Sequence, residues 1–130
     1  MLLVGIFDTS IAVLLLRLSV GTLFTVHGYP KLNTGKRAEW MKQFGMPTAM
    51  VPFAGIVEFL GGLAVLFGIL TPVIALLAAL WMLGTTWFAM AKLKKKYQGG
   101  WELDITLFLA ALAILFLGSG TYSIDHLLGI

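Results

Sequence analysis

The sequence predicts an all-α protein, a four-transmembrane-helix antiparallel bundle with its N- and C-termini on the same, non-cytoplasmic side. Three observations predict it. Hydrophobic residues make up 59% of the 130 residues and charged ones 12%, where soluble chains carry about 25% charged. Four apolar stretches, at about 9–29, 51–70, 72–91 and 102–118, approach the roughly 20 residues that a helix needs to cross a bilayer. Of the nine basic residues only Arg17 lies outside the segments that follow the first and third stretches. The positive-inside rule then puts loops 30–50 and 92–101 in the cytoplasm.

One domain over 1–130 is expected, in the plasma membrane, with the lipid bilayer as its main partner. The net charge of +3 reports topology, so no nucleic-acid binding is expected. Cysteine is absent, which excludes disulfide, iron-sulfur and thiol chemistry by the chain itself. The opening MLLVGIFDTS has no basic start and no small-residue cleavage site, so no removable signal peptide is expected.

Span one carries Arg17 near its middle and His27 and Lys31 near its cytoplasmic end. An arginine at mid-depth costs about 2.5–3.5 kcal/mol unless it finds a partner. In the following loop, Trp40, Met41 and Phe44 can share a face that lies on the membrane surface. Span two places Gly55, Glu58 and Gly62 on one side, so a single carboxylate sits among small residues and points at a neighbouring helix. Thr71 and Pro72 suit the N-cap and first turn of span three, which makes a tight hairpin that packs spans two and three together. Span three has no interior charge; Trp81 reads as packing. Span four opens with Trp101, Glu102 and Asp104. Both acids suit the helix dipole, and two residues apart they cannot face one partner. A short helix capped by Ser123 closes the chain.

Depth counting brings Arg17 within reach of Glu58, and this pair is expected to join spans one and two. One reading makes it a structural brace. The other makes Arg17, His27, Lys31 and Glu58 a polar site for the head of an apolar ligand, with His27 as proton carrier. No metal site is expected, because no His or carboxylate pair has ligand spacing.

LLLRL and HGYPKL in span one, FGMP in the loop, GIVEFLGGLAVLFGILTP in span two, GGWEL at the start of span four and GSGTYSID at its end resemble, in order, the DoxX family of small four-helix membrane proteins. The resemblance implies a bundle described as an oxidoreductase subunit, linked to quinone-reducing or thiol-stress complexes of membranes. Arg17, His27, Gly28, Lys31, Glu58, Gly61, Gly62, Gly68, Glu102, Gly118, Gly120, Ser123 and Asp125 match recurrent family positions, and Asp104 does not, which favours Glu102 as the inward-facing acid. Pro72 and Thr121 stand where the family often has basic residues.

The leading expectation is therefore a quinone-linked oxidoreductase subunit. Arg17, His27, Lys31, Glu58 and Glu102 bind the ligand head, His27 and Glu58 act catalytically, quinone is the cofactor, and electrons come from a soluble or membrane redox partner. The alternative is a non-catalytic membrane scaffold or anchor for such a partner. A small transporter, working as a homo-oligomer, is a third reading.

Overall fold

The computed structural model describes residues 8–33 and 35–130; the N-terminal stretch read above for a signal peptide lies largely outside them. Helix α1, Thr9–Gly28, is N-capped by Asp8, whose carboxylate accepts from Ser10 N–H at 2.9 Å, and runs on through a 3₁₀ segment, Tyr29–Asn33. A short α2, Gly35–Lys42, follows. Then come α3, Met50–Phe67, α4, Thr71–Ala91, α5, Glu102–Leu117, and the closing α6, Ile124–Leu128, capped by Ser123 as expected. Among the described residues four helices are long and apolar enough to cross a membrane, so the chain is a multi-pass membrane protein in contact with lipid. Asp8 and the C-terminal α6 lie at one end of the bundle, the termini end; the 29–49 and 92–101 connections lie at the other, the loop end.

The bundle is two pairs of helices. α1 lies along α3, and α4 lies along α5, each over most of its length. In lipid no hydrophobic effect presses helices together, so close backbone approach and dispersion must do so. Glycines at the α1–α3 seam permit that approach: a Cβ at Gly28 would sit 2.5 Å from Phe59 N, and one at Gly62 would reach 2.5 Å from Thr25 N. Val20, Phe24, Val65, Ala75, Met82 and Ile114 fill the centre. Leu77, Leu80 and Phe116 face outward, as the apolar solvent allows.

α3 and α4 are joined by a tight turn, yet they touch over far less of their length than either pair. The expected packing of spans two and three is thus thin, because α3 spends its small-residue face on α1. α3 stops at Phe67, short of the expected end, since Gly68 turns left-handed (φ 69°) and Ile69 N–H returns to Ala64 O at 2.9 Å. Leu70 is also left-handed (φ 48°) and is the N-cap of α4. Thr71 is therefore not the N-cap, as the sequence suggested; it occupies the first turn with its hydroxyl buried.

These contacts predict opposite outcomes for two glycine substitutions. Gly28→Ala should lower the melting temperature in detergent micelles, because backbone of α3 stands in the way. Gly84→Ala meets nothing within 4 Å and should raise stability by about 0.5–1 kcal/mol.

Candidate functional site

The expected single cluster is in fact two, at opposite ends of the bundle. At the termini end Arg17 is 1% exposed. Its Nε donates to Val65 O at 3.0 Å and Nη2 to Leu66 O at 2.8 Å, both carbonyls in the last turn of α3. Its Nη1 donates to Ser119 O at 3.2 Å and Tyr122 O at 2.8 Å in the segment between α5 and α6. A cation at a helix C-terminus answers both the unpaired carbonyls and the helix dipole. Arg17 does not pair with Glu58.

The reason lies in helix geometry. Every Cα–Cβ bond tilts toward the N-terminus of its own helix. α1 and α3 are antiparallel, so Arg17 leans toward the termini end and Glu58 toward the loop end. Two residues that depth counting brings together are drawn apart by side-chain direction.

Asp125, on α6 and 2% exposed, completes this end. Its carboxylate accepts from Leu70 N–H at 2.7 Å and Thr71 N–H at 2.8 Å, while its own N–H donates to Gly68 O at 2.9 Å. It caps α4 from a distant part of the chain. Burial opposes its charge, but the backbone donors of Thr71 and Leu70 and the nearby Arg17 hold its carboxyl below the usual carboxylate range. α6 is thereby tied to the turn that joins α3 to α4.

At the loop end Glu58, 5% exposed, accepts from Lys31 Nζ with both oxygens, at 2.9 and 2.7 Å, and from the Trp81 indole N–H at 3.2 Å. Lys31 stands on the 3₁₀ segment that prolongs α1, Glu58 on α3 and Trp81 on α4. α5 adds Asp104, which accepts from the Thr85 hydroxyl at 3.4 Å and lies within electrostatic reach of Lys31 and Glu58. Three spans thus meet at Glu58, and the fourth is tied to α4 through Asp104 and Thr85. Trp81 was the residue sequence reading missed; an indole N–H set among apolar helices needs an acceptor, and that requirement was the available signal.

His27 stands apart from this cluster, exposed, with Nδ1 2.8 Å from Leu23 O of its own helix. Glu102 accepts from Gly99 N–H at 2.8 Å and so closes the turn before α5. Asp104, not Glu102, is the acid that faces the neighbouring helices, since Glu102 is spent on the irregular backbone at Gly99 and Gly100.

Beside the cluster, the thin α3–α4 contact leaves an apolar cavity of about 360 Å³. Phe24, Gly61, Ala64, Val65, Ala78 and Trp81 are among its walls. Leu60 and Leu77, each more than half exposed, flank it toward lipid. Trp81 both lines the cavity and donates to Glu58, so its Trp81 end adjoins the polar cluster, while no charged residue is among its walls. A broader, open concavity along α2, by Lys36, Glu39 and Trp40, contains no buried polar group.

A family model described as DoxX matches residues 12–91. A protein of Bacillus subtilis (strain 168) named "Putative oxidoreductase CatD" is 31% identical over 117 residues, which cover 89% of this chain and 86% of that one. "Inner membrane protein YqjF" of Escherichia coli (strain K12) is 33% identical over 122 residues, covering 92% and 93%. No solved structure matches the chain.

Two predictions follow from the two ends. Lys31→Met leaves Glu58 charged and buried, and should cost about 3 kcal/mol. In the double variant Lys31→Met/Glu58→Gln much of that loss should return, by about 1 kcal/mol or more of coupling in a double-mutant cycle of unfolding. For Asp125, the folded state binds its proton less readily than the unfolded state. Its contribution is therefore present above the ordinary aspartate pKa of about 3.9 and is lost as pH falls through the lower folded value. Melting curves recorded from neutral pH downward should show this acid-side loss in the wild type, and Asp125→Asn should melt lower at neutral pH and lack it.

Proposed function

The chain belongs to the DoxX family of membrane proteins, and from that premise we propose that it is the membrane subunit of a redox system, holding a quinone-class ligand between α3 and α4. The observation that carries this reading is an apolar cavity, flanked by lipid-facing residues, that reaches the indole of Trp81, which donates to the buried Glu58 of the Lys31–Glu58 pair. Ligand sites are mostly apolar with a few convergent polar groups, and this one has the size and composition for a flat ring on an apolar tail. A relative named as an oxidoreductase lends support.

Lys31 supplies an N–H donor for a ring carbonyl oxygen, while Trp81, whose single N–H goes to Glu58, offers its ring face to the ligand. Lys31 has three donors and gives two contacts to Glu58, so Glu58 orients the ammonium while leaving it capacity to donate. Leu60, Ala64 and Leu77 receive the apolar tail. A quinone would supply reversible two-electron, two-proton chemistry, with electrons from a partner that docks on the basic loop end. In this reading Arg17 braces the opposite end, and the head-binding role expected of Arg17, His27, Lys31, Glu58 and Glu102 narrows to Lys31 and Glu58, joined by Trp81. The basic loops face the cytoplasm and both termini the other side of the plasma membrane, by the positive-inside rule.

A second reading, a non-catalytic scaffold for a soluble redox partner, draws on the fact that both Glu58 oxygens are already satisfied by Lys31. Binding separates the two. Purified protein in nanodiscs, titrated with decylubiquinone, should bind saturably, and Glu58→Gln should weaken binding about tenfold, equivalent to about 1.4 kcal/mol. No saturable binding by the wild type would end the ligand reading and leave the scaffold.

A further inference from the structure

We infer that Gly61 is the residue that decides which head the α3–α4 cavity admits: its missing side chain is the seat of a planar ring beside Trp81. The inference rests on the reading of that cavity as a ligand site. Glycine in a helix interior costs stability relative to alanine, so each one invites a reason. At Gly21, Gly28, Gly55 and Gly62 the reason is packing, since an added Cβ would come within 3 Å of α1, of the segment after it, or of α3. Gly61 has no such reason: an added Cβ there would meet nothing within 4 Å.

What Gly61 does border is the cavity. Gly61 stands about 100° around α3 from Gly62, off the face that presses on α1. It lies three residues, about 4.5 Å along the axis, from Glu58, on the side away from the loop end. In the antiparallel pair Trp81 meets Glu58, and Ala78, one turn along α4, also lines the cavity. Two small residues, one from each helix, therefore widen the cavity next to its Trp81 end, where the carbonyl-bearing part of a ligand would sit. Beyond them Ala64, Val65, Ile74 and Leu77 line the apolar remainder. Gly84 is likewise open to an added Cβ, but it is exposed and does not line this cavity, so openness alone does not mark a seat.

The experiment uses the full chain with Trp81 as its only tryptophan, made by Trp40→Phe, Trp87→Phe and Trp101→Phe, and follows quenching of Trp81 by decylubiquinone in nanodiscs. The native chain is titrated in parallel by equilibrium dialysis. Gly61→Leu should fold with a melting temperature equal to or above that of its parent, and bind at least tenfold more weakly; Gly61→Ala should fall between. A leucine variant that folds and binds like its parent overturns the role of Gly61 and leaves the functional reading intact. A parent that binds nothing overturns both. Altered oligomeric state in Gly61→Leu with unchanged quenching would assign the gap to a second copy of the chain and also overturn the inference.

Discussion

An ionised side chain among hydrocarbon must be met by polar groups of the protein, because lipid tails offer none. Arg17 meets this requirement through four backbone carbonyls drawn from two parts of the chain. That choice organises the termini end. The last carbonyls of α3 lose their regular helical partners in any case, Val65 O keeping only the Gly68 N–H at 3.2 Å, and a guanidinium with its donors spread in a plane serves several at once. Because Ser119 and Tyr122 supply the remaining acceptors, the segment after α5 is drawn against α3, and Asp125 arrives at the start of α4. One arginine thus connects α1 and α3 to the C-terminal segment, and Asp125 carries the link on to α4.

With the termini end closed in this way, the loop end carries the second pairing. Lys31 and Glu58 satisfy one another, and Trp81 brings α4 to the same carboxylate. Between the two ends, α3 presses its glycines on α1 and has little left for α4. The cavity is a consequence of that allocation: a helix that meets one neighbour at backbone distance leaves larger gaps elsewhere. A polar anchor beside an apolar gap is the arrangement on which the functional reading depends.

Much of this was legible in the residues. The four apolar stretches, the cap at Ser123, the first-turn place of Pro72, and the need for Arg17 and Glu58 to find partners follow from hydropathy, turn chemistry and the cost of charge in lipid. The partner of Arg17 did not follow, since depth along a helix axis says nothing about lean. The antiparallel tilt of Cβ atoms, a general rule, would have separated Arg17 from Glu58 and pointed Glu58 toward Lys31. Asp104 was set aside in favour of Glu102, although the irregular backbone at Gly99 is what engages Glu102; two adjacent glycines hinted at that irregularity without specifying it.

Composition and periodicity determined that this protein is four helices in a membrane, because the free energy of placing each stretch in lipid is a sum over its own residues. They determined too that a few buried charges would require answers. Which group answers each charge was decided only by the tertiary structure. Backbone carbonyls serve as well as a carboxylate for an arginine, and their availability depends on where a neighbouring helix ends. The gap between α3 and α4 belongs to the same class of fact: it is a property of how three helices share their faces, and no single stretch contains it.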